Sequence, residues 1–235
     1  MSIRGSIFCL CLFFLGCPAF RRACLEAVHS RLRILSAGKD LNRELWTSDE
    51  FLDWLELGVF ADLIDGEKIM HSPVSLKHAN LVNFLDNVLR LYLESRSLGR
   101  LYRESVAVRL SSRNTFLPDL AYFRSQQVNQ LGETFISIAP TWVCEVLSPS
   151  TADKDIGAKF VAYEEHGVEE YWILDPETLV HRFFSRQGEF FVEFATGAPR
   201  IFSKAIPGFR IQRDWLVPGS PPLVLECLTQ IVGEE

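Results

Sequence analysis

The sequence predicts an α/β domain, a mixed sheet with helices packed against both of its faces. Residues 141–147 (TWVCEVL) and 170–175 (EYWILD) are nearly all apolar, as strands covered on both sides should be. A helical pattern over 152–166 separates them, the spacing of a strand–helix–strand unit. Shorter strand-like runs at 102–110, 180–185 and 190–194 add to the sheet. A hydrophobic fraction of 48% over 235 residues is ample for a packed core and excludes a disordered chain, a collagen-like repeat or a small disulfide scaffold.

The elements follow in order. Thr47 with Glu50 three residues later is a capping box, and Phe51, Trp54 and Leu55 recur at helical spacing behind it. Asp65-Gly66 between Leu63-Ile64 and Lys68-Ile69-Met70 is a hairpin signal. Residues 76–97 form a long amphipathic helix with Leu81, Leu85, Val88 and Tyr92 on one stripe, ended by Gly99. In 102–110, Val106, Val108 and Leu110 share one strand face. Pro118 opens a short strand, LAYF. The helix over 152–166 puts Ile156, Phe160 and Tyr163 inward and stops at Gly167; Pro176 ends the strand after it. The runs at 180–185 and 190–194 join across Gly188, and a last short strand follows Pro207-Gly208. The domain spans 44–216, with 217–235 as a C-terminal tail.

Charge divides the chain. The formal net charge is −6, but residues 1–43 hold seven Lys/Arg against two Asp/Glu, leaving 17 against 28 in the rest. Four of the six cysteines (Cys9, Cys11, Cys17, Cys24) also lie in this leader. Its apolar stretch, residues 6–20, suits a signal-peptide core and is shorter than the roughly 20 residues that span a bilayer. Phe14-Leu15-Gly16-Cys17 only loosely matches a lipoprotein cleavage site. The leader reads either as an export or anchoring signal or as an extension from a misplaced start. The second is favoured, with a cytoplasmic location and no stable membrane association, because the chemistry below belongs in the cytosol. Cys144 and Cys227 have no metal-site or redox-pair spacing and read as buried thiols.

Two carboxylates stand out. Glu145 lies inside an apolar run, where an ionised carboxylate costs several kcal/mol unless it is paired or bound to a metal. Asp119 opens the preceding strand, and consecutive elements tend to be neighbours, so both could meet one hard cation. Lys159 shares the inward face of the following helix and can reach them; Asp155, four residues earlier, either steers it or forms a surface pair. Singly, Asp119 reads as a turn cap and Glu145 with Lys159 as a structural ion pair. Together they read either as a metal-dependent site or as a structural ion network.

The segments PDLAYF (118–123), APTWVCEVLSPSTADKDIGAKFVAYEEHGVEEYWILDPE (139–177), LIDGEKIMHSPVSLKHANLV (63–82) and WTSDEFL (46–52) resemble the putative restriction endonuclease family abundant in cyanobacteria, within the PD-(D/E)XK nuclease superfamily. The resemblance covers about residues 46–216. It implies a restriction-endonuclease-like three-layer α/β/α core around a mixed sheet. Asp119 would be the aspartate of the PD half-motif and Glu145 the acid of the second half. Leu147 stands where the superfamily usually has lysine, so the resemblance is to variants whose lysine sits on the next helix, where Lys159 falls. It further implies metal-dependent phosphodiester hydrolysis without naming a substrate. The expectation built on it is a DNA endonuclease in which Asp119, Glu145 and the Val146 carbonyl hold one or two Mg²⁺ ions (Mn²⁺ able to substitute). Lys159 then either orients the attacking water or stabilises the phosphorane-like state. Asp175 recurs in the family, and a strand-end cap is its expected role.

Glu67 after the hairpin turn is a possible added carboxylate, though a solvated hairpin residue is the plainer reading. His71 and His78 flank the start of the long helix and either could touch phosphate, although exposed histidines are common there. Arg90, Arg96, Arg100, Arg103, Arg109 and Arg113 face only Glu94 and Glu104 across 90–113, the best candidate for a surface touching the nucleic-acid backbone. A merely solvated charged face competes with that reading. A homodimer, placing two sites on opposite strands, is expected. The competing function is a catalytically silent nuclease-fold module that binds nucleic acid or a protein partner.

Overall fold

The computed structural model describes residues 45–55, 59–148 and 152–233. The readings of the leader lie outside these residues. Helix α1 (Ser48–Trp54) starts at the expected capping box: Thr47 Oγ1 accepts from the Glu50 N–H at 3.3 Å, and Glu50 accepts from the Thr47 N–H at 2.7 Å. Strands β1 (Ala61–Ile64) and β2 (Glu67–Met70) pair across Asp65 (φ 50°) and Gly66 (φ 84°). Both turn residues are left-handed, the requirement that Asp-Gly meets. Helix α2 (Leu76–Ser95) is capped by the Ser75 hydroxyl and buries its stripe of Leu81, Leu85, Val88 and Tyr92.

The run expected as one strand over 102–110 is two. Strand β3 (Gly99–Arg103) ends in a turn closed by the Val106 N–H on the Arg103 carbonyl, and β4 (Val108–Arg109) joins another sheet. Then come β5 (Thr115–Phe116), β6 (Leu120–Arg124), the short helix α3 (Ser125–Val128) and β7 (Trp142–Val146). The helix expected over 152–166 is also divided, into α4 (Ala152–Ile156) and α5 (Ala158–Glu165). Gly157, at φ −104° and ψ −97°, breaks it, and a Cβ there would stand 2.7 Å from the Asp153 carbonyl oxygen. Ile156, expected inward, is therefore exposed, whereas Lys159, Phe160 and Tyr163 are buried. Strands β8 (Glu170–Leu174), β9 (Arg182–Gln187), β10 (Phe190–Phe194), β11 (Arg200–Phe202) and β12 (Arg210–Gln212) complete the sheets.

The central sheet has the order β10-β9-β8-β7-β6-β3, with β7 and β8 parallel and the other pairs antiparallel. A smaller sheet, β2-β1-β5-β4, lies apart from it in hydrogen bonding, and β11 pairs with β12. Strand alternation sends Trp142, Cys144 and Val146 to the face covered by α2. Val143 faces the other way, onto Phe160 and Tyr163 of α5 and Phe116 of the small sheet. This is a mixed sheet with helices on both faces. The segment set apart above as a tail holds helix α6 (Val224–Gly233), whose Cys227 and Ile231 are buried in the α2-side core. The packed unit thus runs past residue 216. Cys144 and Cys227 are free and buried. Among the described residues no helix is long and apolar enough to cross a membrane.

Candidate active site

Strands β6 and β7 are antiparallel neighbours, with Leu120 opposite Cys144, so the residue just before β6 lies beside the C-terminal half of β7. That register brings Asp119 and Glu145 together. The Asp119 N–H donates to Glu145 Oε2 at 3.3 Å, and the Val146 N–H donates to Asp119 Oδ2 at 2.7 Å. Period-two alternation turns Glu145 to the same face as Val143, toward α5. There Lys159 Nζ donates to Glu145 Oε1 at 3.1 Å and the Tyr163 hydroxyl donates to the same oxygen at 2.9 Å. Asp119, Glu145, Val146 and Lys159 line one cavity of about 290 Å³.

Lys159 meets two further carboxylates, Asp62 at 2.9 Å and Asp155 at 3.3 Å. Asp155 is buried against the lysine, so the pair is not the surface pair that was the alternative. Asp62, on β1, was not singled out in the sequence. It is 1% exposed, accepts from the Leu117 N–H at 2.7 Å and lies 2.9 Å from His71 Nε2. A lone acid within Ala61-Asp62-Leu63-Ile64 is the same signal that marked Glu145, in a run only four residues long. His78, on the first turn of α2, is buried, not exposed, with Nε2 3.3 Å from Asp119 Oδ2.

The other candidates lie elsewhere. Glu67 sits on β2 opposite Ile64 and does not line the cavity. Asp175 accepts from the Glu177 and Thr178 N–H groups and the Thr178 hydroxyl, which makes it the cap of the turn after β8. Of the arginines, Arg103 is 3.8 Å from Asp86 and Arg109 is paired with Asp49 at 2.6 Å, while Arg100 and Arg113 are exposed.

Three buried carboxylates thus surround one lysine, and a fourth, Asp119, lies against Glu145. Burial alone would raise the Asp62 pKa, yet Lys159 and His71 outweigh it and hold it at about 2. Burial pushes Glu145 well above the usual carboxylate range, and Asp155, Asp119 and Asp62 push it further, against the pull of Lys159. Burial disfavours the Lys159 ammonium, but Asp62, Glu145 and Asp155 raise its pKa well above that of a free lysine. Burial likewise opposes the His78 imidazolium, and Asp119, then Glu104, reverse it to a raised pKa. Burial and Glu145 keep the Tyr163 phenol neutral, so its proton remains available to donate to Glu145.

This surplus of negative charge suits a hard cation. Among the described residues no group of three or more His, Cys, Asp or Glu side chains is arranged to hold a metal. Asp119 and Glu145 would therefore contribute two carboxylates, with the Val146 carbonyl and water completing the shell. Mg²⁺ takes this kind of set, one or two carboxylates and several waters.

A mixed sheet with helices on both faces is the architecture of a nuclease-like fold. The chain belongs to the family described as Uma2: Putative restriction endonuclease, whose model matches residues 48–216. A solved structure described as a putative nuclease belonging to DUF820 from Anabaena variabilis ATCC 29413 is similar to it, with a TM-score of 0.62 and 19% identity, covering 72% of this chain and 96% of that one. At that identity the likeness bears on the fold. No curated protein matches the chain.

Proposed function

We propose that this protein is a metal-dependent endonuclease of the PD-(D/E)XK kind, hydrolysing phosphodiester bonds of DNA. The observation that supports this most is the meeting of Asp119, Glu145 and Lys159 at one cavity, with Lys159 3.1 Å from Glu145 although it comes from the next helix. Asp119, Glu145 and the Val146 carbonyl would hold Mg²⁺ or Mn²⁺. When bound, the ion supplies an acidified water and neutralises charge on the scissile phosphate.

The chain's own groups set up the rest. Lys159 is the permanent cation at the site and places positive charge where an attacking water and the phosphorane oxygens would stand. Tyr163 and Lys159 fix one oxygen of Glu145 and leave Oε2 toward Asp119. His78 holds Asp119 from the side of α2. Cleavage of plasmid and single-stranded DNA with Mg²⁺ or Mn²⁺ tests the reading. Hydrolysis should fall at least about 100-fold in Glu145→Gln and Lys159→Met, the scale on which charged groups at such centres act. Unchanged activity in both variants would remove these residues from the site, and an inert wild-type chain would leave a silent binding module.

A further inference from the structure

We infer that the cavity takes an unpaired DNA strand, one base of which stacks on Phe60; this rests on the nuclease reading and names its substrate form. Phe60 lines the cavity yet is 42% exposed, and among the described residues no aromatic ring packs against it. Val74, also lining the cavity, is 44% exposed, and Pro73 and Leu117 extend the apolar wall. An exposed ring and apolar wall beside a phosphodiester-cleaving centre offer what a nucleobase face needs. Base–aromatic stacking tolerates any sequence, because every base has a π-face.

Duplex DNA needs the opposite surface, a row of free cations that neutralise successive phosphates. Among the described residues no arginine lines the cavity, the one lysine that does is held by three carboxylates, and Glu104 also lines it. Three arginines of the 90–113 stretch are held on carboxylates: Arg90 and Arg103 on Asp86, at 2.7 and 3.8 Å, and Arg109 on Asp49 at 2.6 Å. Outside the first 43 residues the chain holds 28 acidic against 17 basic residues, a balance that opposes laying many duplex phosphates on the surface at once. A single strand can bend one nucleotide into a cavity of about 290 Å³ while the rest stays in solvent.

The test is fluorescence anisotropy on the full chain in EDTA at one fixed salt concentration, with labelled oligothymidylate and a labelled hairpin duplex of equal phosphate number. The single strand should bind about tenfold tighter than the duplex. Phe60→Ala should weaken single-strand binding by about tenfold and Phe60→Trp should retain it, with thermal melting showing both variants folded. Duplex binding as tight as single-strand binding, or a Phe60→Ala variant that binds like wild type, overturns the inference. Hydrolysis of bis(p-nitrophenyl) phosphate by the wild-type chain with Mn²⁺ reports the nuclease centre separately. Hydrolysis without strand preference defeats this inference alone, and strand preference without hydrolysis defeats the nuclease reading alone.

Discussion

Lys159 has three N–H donors and three carboxylate neighbours, Asp62, Glu145 and Asp155, and is 2% exposed. Breaking such a set by removing the cation leaves buried charges uncompensated. Lys159→Met should therefore lower stability in urea by about 3–5 kcal/mol at neutral pH, and recover part of it on acidification as the orphaned carboxylates take protons. Asp62 touches no substrate in this scheme; it positions the lysine. Asp62→Asn keeps the shape and removes one tether, and should reduce DNA hydrolysis by about 10–100-fold, the range seen for groups that orient ligands from behind. Restored activity in Asp62→Glu but not in Asp62→Ala would confirm a positioning role over a purely structural one. The meeting of Asp119, Glu145 and Lys159 was legible in the sequence because charge on apolar runs is anomalous. Asp62 was not, since four residues of strand give too little context. His78 was underrated because an N-terminal helix position says nothing about which face the fold buries.

Strand and helix types were mostly readable, and the failures share one physical cause. Periodicity marks which side chains face inward but not where the backbone changes direction, so the alternation through Val106 and Val108 hid a turn between two sheets. Gly157 hid a helix break in the same way, and it sets the direction from which Lys159 enters. A third case is Glu170, read only as the start of a buried strand. Its carboxylate accepts from Trp172 Nε1 at 2.5 Å, the Ser203 hydroxyl at 2.8 Å and the Lys204 and Ala205 N–H groups at 2.6 Å each, tying the 203–206 turn to β8. Removing the acceptor leaves the buried Trp172 and Ala205 donors unpaired, so Glu170→Ala should cost roughly 3 kcal/mol in chemical denaturation. The C-terminal helix offers a parallel check. Ile231 is 1% exposed against the α2-side core, and Ile231→Ala should cost about 2–4 kcal/mol; a cost near zero would show α6 to be dispensable.

For the whole molecule, pH separates groups that stabilise the fold from groups strained by it. His181 is 6% exposed; burial and then the Arg213 guanidinium depress its pKa from 6.5 to about 4. The unfolded chain binds a proton at His181 below about pH 6.5, whereas the folded chain resists it until about pH 4. Between these values the unfolded state holds more protons, so stability is full above pH 6.5 and declines as pH falls toward 4. The loss from this one residue is about 3 kcal/mol at most. Asp62 behaves differently: with a folded pKa of about 2 it still stabilises the chain through this window and fails only below it. Glu145 has the opposite sign, because its raised pKa makes the ionised form a burden that grows as pH rises above the usual carboxylate range. A cation bound between Asp119 and Glu145 would relieve that burden. Thermal melting should accordingly show an acid limb between pH 6.5 and 4 that flattens in His181→Phe. It should also show stabilisation by Mg²⁺ that is larger at pH 8 than at pH 5 and absent in Glu145→Gln. An equal Mg²⁺ effect in wild type and Glu145→Gln would place the cation elsewhere on the molecule. An acid limb unchanged in His181→Phe would assign that loss of stability to another buried group.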